Sequence, residues 1–297
     1  MVRGFAPSLD FLPTWSSLRK RLLSYGNSVT GFLKNRAPLD AQILERELRL
    51  RQCLWQNAIL KDEVTSTNDI AKELVNNQTV EGTFVVANFQ SKGRGRQDRT
   101  WEAPKNSSIF ISIILKPNNQ DEIGWIPLLI GLCLFKSLES ETRKNIKIKW
   151  PNDLVLVESD EVFKFAGILL EKHKEYVIAG VGINFDQELN ELPFKNSTSL
   201  KAFLQNDLSK ESIIAQFISE LGARWTEENN AQASPTPSLV REYKTNCLTI
   251  GSQIIAQLPG GESFKAEAID ISKTGELIVE TTEGLRNLSS ADIHLIS

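Results

Sequence analysis

The chain is poor in the residues that build most metal centres and nucleophile–base pairs. It has two histidines, His173 and His294, and three cysteines, Cys53, Cys133 and Cys247, far apart and odd in number. This spacing offers neither a disulfide framework nor a zinc cluster, and it indicates a reducing compartment. With so little histidine, a Ser-His or Cys-His catalytic pair has nothing to build on. Long apolar runs are also missing. The most hydrophobic stretch, 123–138, is interrupted by Gly124, Gly131 and Lys136. It falls short of the roughly 20 residues needed to cross a bilayer. Nor is there an excess of one charge. Thirty-four Lys and Arg face 37 Asp and Glu, a net charge of −3, so any positive field must be local.

What is present is a soluble composition of ordinary type. At 297 residues and 41% hydrophobic content, the chain can bury a sizeable core as one large or two modest domains plus a small one. Residues 1–36 carry six Lys and Arg against one acid, Asp10, with several serines. That composition fits an organelle import segment or a basic extension of a cytoplasmic protein, and it lacks the apolar centre of a secretory signal. The extension is the reading adopted, with a cytoplasmic location.

Periodicity divides the chain in three. Residues 1–57 read as an N-terminal extension, partly helical, with Asp40 capping a helix from Ala41 that carries Ile43, Leu44 and Leu48 on one face. Residues 58–246 alternate strands and helices. Strands are expected at 59–64, 83–88, 108–115, 146–150, 154–157, 165–171 and 176–184, and helices at 69–75, 123–140, 211–227 and 238–246. Residues 247–297 turn all-β, with strands at 252–258, 264–271, 277–281 and near Ile293 between Gly-containing turns. Short strands at that spacing predict a small barrel.

Several polar clusters flank the hydrophobic strands. Residues 91–101, Ser-Lys-Gly-Arg-Gly-Arg-Gln-Asp-Arg-Thr-Trp, place four cations beside two glycines. The run reads as a flexible loop that orders around an anion, because each glycine adds backbone freedom and arginine forks fit phosphate or carboxylate oxygens in pairs. Upstream lie Ser66-Thr67-Asn68 and Gln90. Downstream lie Lys149-Trp-Pro-Asn152-Asp153, then Lys164 with Ala166-Gly167, then Gly182-Ile-Asn184. Each has an alternative structural role. Ser66 to Asn68 can cap a helix, Pro151 to Asp153 can form a turn, Lys164 can be a surface lysine, and Trp101 can belong to the core. Taken together, the clusters supply hydroxyls, amides, cations and one carboxylate. That set suits positioning and charge neutralisation at a phosphate, as in nucleotidyl transfer, rather than covalent catalysis.

The order Ser-Thr-Asn, Gln-x-x-Gly-Arg-Gly-Arg-x-x-Arg-x-Trp, Lys-Trp-Pro-Asn-Asp, Lys-x-Ala-Gly-Ile-Leu-x-Glu and Gly-x-Gly-Ile-Asn resembles the biotin–protein ligase (biotin–[acetyl-CoA-carboxylase] ligase) family over about residues 58–297. The resemblance implies an α+β catalytic domain of class II synthetase type. In it a central mixed β-sheet has helices packed on one side, and a small C-terminal β-barrel of the Src-homology type follows. It implies biotin and ATP with Mg2+, an adenylate intermediate, and a biotin carboxyl carrier protein whose lysine accepts the biotin. Ser66, Thr67, Asn68 and Gln90 match positions that bind biotin, as do Arg94, Gly95, Arg96, Lys164 and Gly167. Arg99, Trp101, Lys149, Asn152, Asp153 and Asn184 match the ATP side. Arg96, Lys164, Arg99 and Asp153 are the expected catalytic set, with no certain metal ligand. The resemblance also implies a monomer or a homodimer.

Residues 1–57 lack a clean helix-turn-helix pattern. The expectation is therefore a monofunctional enzyme without a DNA-binding domain, for which nucleic acid is not a partner. Two other readings remain open: a non-catalytic module that binds biotin or nucleotide, and a ligase for lipoate or octanoate.

Overall fold

The computed structural model describes residues 36–119, 123–142, 145–204, 207–231 and 235–296. Most of the basic extension, residues 1–35, lies outside them. Helix α1 (Ala41–Leu50) begins where the capping argument places it. The Asp40 carboxylate accepts from the Gln42 and Ile43 amides at 2.8 and 3.0 Å, and Leu44 and Leu48 are buried.

The central sheet contains β1 (Ala58–Val64), β2 (Phe84–Gln90), β3 (Ser108–Leu115), β4 (Asn145–Lys149), β5 (Asp153–Glu158), β6 (Glu161–His173) and β7 (Tyr176–Asn184). Their order across the sheet is β1-β2-β3-β7-β6-β5-β4, and only β1 and β2 run parallel. Odd-numbered residues of β3, from Ile109 to Leu115, face a large core. That core is filled by α3 (Ile126–Glu139), α4 (Lys210–Asn229) and α5 (Pro237–Asn246), with α1 laid across α4. One-sided packing thus describes these four helices.

Helix α2 (Thr67–Asn76) is the exception. It sits on the opposite face, where Ala71 and Val75 meet Val85, Ile114 and Ile178 in a small separate cluster. It covers only part of that face, and the uncovered remainder is where a pocket can form.

The C-terminal domain is a five-stranded antiparallel sheet ordered β11-β10-β9-β8-β12, from β8 (Gln253–Gln257), β9 (Ser263–Ile271), β10 (Leu277–Thr281), β11 (Gly284–Leu288) and β12 (Asp292–Leu295). Sequence periodicity finds four of these strands and misses β11. That strand buries Leu288 alone, so no alternation marks it. Two indoles join the domains. Trp125 Nε1 donates to Lys273 O at 2.9 Å and Trp150 Nε1 to Gly275 O at 3.2 Å. At this junction Gly275 adopts φ +83°, and a Cβ there would stand 2.5 Å from Gly124 O.

Among the described residues no helix is long and apolar enough to cross a membrane. All three cysteines are buried and free.

Candidate active site

A cleft of about 440 Å³ opens on the face that α2 only partly covers. It gathers every residue proposed from the sequence: Ser66, Thr67, Asn68, Gln90, Arg94, Gly95, Arg96, Arg99, Trp101, Lys149, Asn152, Asp153, Lys164, Gly167 and Asn184. Its floor is glycine. Gly167 and Gly182 pair across β6 and β7, and the Trp101 ring lies over both, so a Cβ on either would stand 2.9 Å from an indole carbon.

One end of the cleft is neutral and tightly bonded. Gln90 Oε1 accepts from the Thr67 amide at 2.7 Å and the Thr67 hydroxyl at 3.1 Å. That commitment leaves the Gln90 amide N–H groups as donors. The Ser112 hydroxyl lies 2.6 Å from Thr67 Oγ1 and 2.5 Å from Asn68 Oδ1, and Asn68 Nδ2 donates to Glu171 Oε2 at 2.6 Å. Ser66 occupies the N-cap position of α2 but makes no capping bond, so its buried hydroxyl is not spent on the helix.

Sequence reasoning left Ser112 and Glu171 without roles. Ser112 carried a signal, a lone hydroxyl in the middle of the apolar strand β3. Glu171 ends the Lys-x-Ala-Gly motif and anchors three neighbours, taking bonds from Asn68, Lys72 and Arg94. Burial would raise its pKa, but those bonds hold it below the usual carboxylate range.

Arg94 is committed to this framework. Its guanidinium donates to both Asp69 oxygens at 3.0 and 2.7 Å and to Glu171 Oε2 at 3.1 Å. The Asp69 pair, strengthened by Glu171, raises its pKa above that of an ordinary arginine. The side chain braces α2 against β6 while lining the cleft.

The other end carries cations. Lys164 reaches it through a register shift. Leu154 pairs with Ala166 and Val155 with Lys164, so Phe165 is an extra residue in β6. The bulge keeps Phe163 and Phe165 in the core and turns Lys164 to the pocket face beside Gly167. Its Nζ stands 2.6 Å from Asp153 Oδ1 and over the Trp101 ring. Beyond the end of β7 a stretch of irregular chain pairs with β6, with Lys164 N donating to Asn196 O and Thr198 N to Lys164 O.

Lys149, across the β4–β5 ladder from Asp153, has its pKa lowered by burial, partly offset by Asp153. Asn152 pairs with Ile168 through backbone and side chain, and its Oδ1 accepts from Arg96 Nη1 at 2.9 Å. Asn184 is buried, donating to Thr198 O and accepting from Gln187 Nε2.

The Gly-Arg-Gly-Arg segment is a small ordered hairpin, not the loose loop its glycines suggest. Arg94 bridges to Thr100, Gly95 N donates to Arg99 O at 2.7 Å, and Trp101 N donates to Gly93 O at 2.9 Å. The left-handed residues at its tip are Gln97 and Asp98, not the glycines. Each such conformation costs roughly 1–2 kcal/mol. Gly93 is needed for close approach, since a Cβ there would stand 2.3 Å from Trp101 O. The hairpin leans on the C-terminal domain, where Arg96 donates to Ser290 Oγ and Arg99 pairs with Asp292. Burial lowers the pKa of Arg96.

Among the described residues no cluster of three or more His, Cys, Asp or Glu could hold a metal ion. At the cationic end, Asp153 pairs with Lys164 and Asp292 with Arg99.

Comparison with known proteins fits this layout. The model of the biotin/lipoate A/B protein ligase family matches residues 61–187, and that of the biotin protein ligase C-terminal domain matches residues 249–295. The bifunctional ligase/repressor BirA of Bacillus subtilis (strain 168) is 31% identical over 266 residues, covering 86% of this chain and 79% of that protein. The biotin–[acetyl-CoA-carboxylase] ligase of Mycobacterium tuberculosis is 30% identical, covering 87% and 96%. The biotin protein ligase of Aquifex aeolicus in complex with biotin and ATP shares the fold, with a TM-score of 0.69 at 24% identity over 82% of this chain and 99% of that one.

The chain belongs to the biotin/lipoate A/B protein ligase family. Within it, the C-terminal domain match and both curated relatives are of the biotin–protein ligase kind.

Proposed function

We propose that the protein is a biotin–protein ligase. It joins biotin to ATP as biotinyl-5′-AMP and passes the biotinyl group to a lysine of a carrier protein. One observation carries the reading: a single cleft holds a neutral hydrogen-bonding end and a cationic end, with Lys164 and Asp153 where the two meet. The ureido head of biotin is uncharged and needs neutral donors and acceptors, which Ser66, Asn68 and Gln90 provide. Its carboxylate would then extend toward Lys164.

In the first step a carboxylate oxygen attacks the α-phosphorus and pyrophosphate leaves. Lys164, Arg96, Arg99 and Lys149 offset the charge that develops on the phosphoryl oxygens. In the second step the acceptor amine attacks the acyl carbon of the mixed anhydride, AMP leaves, and the amine proton is released. Holding both reactants in line can contribute on the order of 7–11 kcal/mol. The Gly93–Trp101 hairpin and the Trp101 ring keep water from the anhydride. Magnesium would enter with ATP as part of the substrate, held mainly by phosphate oxygens with one or two carboxylates. Asp153 is the carboxylate best placed for it.

The acceptor is proposed to be the biotin carboxyl carrier protein of acetyl-CoA carboxylase, and the compartment the cytoplasm. The described N-terminal residues are occupied in packing α1 on α4, which supports a scaffold role over nucleic-acid binding.

The test is biotin-dependent exchange of pyrophosphate into ATP, followed by labelling of a purified carrier domain. Activity in both assays is expected. Binding of biotin or nucleotide without exchange would instead indicate a non-catalytic module. Exchange driven by lipoate or octanoate in preference to biotin would assign the sister chemistry.

A further inference from the structure

A buried cation that the proposed reaction does not use stands behind the wall of the nucleotide half. Arg36 keeps only 5% of its side chain exposed. Its Nε and Nη2 donate to Asp186 O at 3.0 and 2.8 Å, and Nη1 and Nη2 donate to Glu191 Oε1 and Oε2 at 3.2 and 2.5 Å. A planar fork spread over a carbonyl and a carboxylate fixes direction as well as distance.

Arg36 is itself held in place. Its carbonyl accepts from Asn106 Nδ2 at 2.9 Å, and the next carbonyl, of Ala37, accepts from Lys210 Nζ at 2.9 Å. Leu39 N donates to Asn88 Oδ1 at 2.8 Å. The fork therefore extends from a fixed base.

What it grips leads directly to the pocket. Glu191 Oε2 also accepts from Glu188 N at 2.8 Å, closing the 188–191 turn. Gln187, next to the gripped Asp186 carbonyl, donates to Asn184 Oδ1 and Ser108 Oγ, both at 3.0 Å. Its own carbonyl accepts from Ser199 Oγ at 2.9 Å. Between these ties run Pro193, Phe194, Asn196 and Ser197, which line the cleft, and Asn196 O bonds the backbone of Lys164.

We infer that Arg36 is a positioning residue for the nucleotide half of the pocket. Its fork holds the Asp186–Glu191 turn, and through it Asn184 and the Pro193–Ser197 wall. The inference rests on the assignment of that half to ATP. None of Arg36's partners belongs to the Ser66, Thr67, Asn68 and Gln90 end, so the effect of losing it should be one-sided. The Glu191 carboxylate is 23% exposed. When Arg36 is removed it can turn to water, so the loss falls on the position of the turn more than on an orphaned charge.

The test compares Arg36→Ala and the milder Glu191→Gln with the unmodified chain in the exchange assay. KM for ATP should rise about ten-fold in the first, since small misplacements remote from the reacting atoms have effects of this order or larger. It should rise less in the second, with KM for biotin unchanged in both. A purely structural role would lower Tm and active fraction without splitting the two KM values. Parallel changes in both constants, or no change in either, would overturn the inference. If Arg36→Ala does not fold, the same split in Glu191→Gln decides. If the unmodified chain shows no exchange, the ligase reading fails on its own. Arg36 is then judged by calorimetric affinity for a non-hydrolysable ATP analogue in the presence of biotin, where equal affinity in chain and variant refutes it.

Discussion

The two ends of the cleft are built on different principles. At the end that presents hydroxyls and amides to the cleft, Thr67, Gln90, Ser112 and Asn68 form one bonded chain anchored on the Glu171 carboxylate behind them, running from α2 through β2 and β3 to β6. All of it sits on regular structure. At the cationic end, Arg96 and Arg99 sit on a hairpin whose polar partners, Asn152, Ser290 and Asp292, lie on other elements. The Arg99 side chain is 55% exposed, and exposed ion pairs contribute little. The first end is set before a ligand arrives. The second is held by bonds that phosphate oxygens can replace, which suits a part that must grip a triphosphate, shelter an anhydride and then admit a protein lysine.

This contrast is sharpest at Lys164, a cation rooted in the sheet rather than in the hairpin. Lys164→Ala should reduce adenylation by 10²-fold or more, the scale seen when a preorganised electrostatic group is removed, with little change in Tm. Pyrophosphate exchange measures it. A rate within a few-fold of the unmodified chain would mean that the bulge in β6 serves packing alone.

At the rigid end, Gln90→Ala removes a donor and leaves the Thr67 amide without its acceptor. An unmatched buried polar group costs about 1–3 kcal/mol. KM for biotin should therefore rise by roughly ten-fold or more while KM for ATP stays put. Equal shifts in both would show that the two ends are not independent, and the contrast between them would dissolve.

Legibility from sequence follows the same division. The cleft-lining residues of the first end were readable because motif and regular structure coincide: Ser66 to Asn68 open a helix and Gln90 closes a strand. The sheet was readable from apolar runs such as 108–115. What could not be read depended on distant partners. Arg94 reads in the chain as part of an anion-binding loop, and its bracing bonds are invisible there because its partners Asp69 and Glu171 lie 25 and 77 residues away. The hairpin's order comes from Gly93 closing on Trp101 and from left-handed Gln97 and Asp98, and no local pattern announces either. The extra residue that turns Lys164 into the pocket is a property of pairing with β5, which alternation along β6 alone does not reveal.

The movable end offers a test of protection rather than rate. Arg96→Gly removes the bonds to Asn152 and Ser290, and glycine adds backbone freedom to the hairpin. Biotinyl-adenylate should then escape, so that bystander proteins are biotinylated several-fold more than by the unmodified chain while head-group affinity is retained. Blotting a mixture of bystander proteins for biotin measures this. Bystander labelling at the unmodified level would show that the hairpin does not retain the intermediate.

The smallest expected effect separates Lys149 from its neighbours by pH. Burial lowers its pKa, so it loses its proton at a lower pH than an ordinary lysine. The charged form attracts triphosphate. As pH rises through the lowered value that attraction disappears, and kcat/KM for ATP should fall on the alkaline side before the ~10.4 of a free lysine is reached. The limb belongs in kcat/KM, which reports the free enzyme. Bound phosphate would restore the proton and mask it in kcat. Lys149→Arg keeps its charge throughout, so its alkaline limb should lie at higher pH, with a difference of only a few-fold near neutrality. Coincident limbs in the two proteins would assign the alkaline loss to another group and leave Lys149 as a structural member of the β4–β5 ladder.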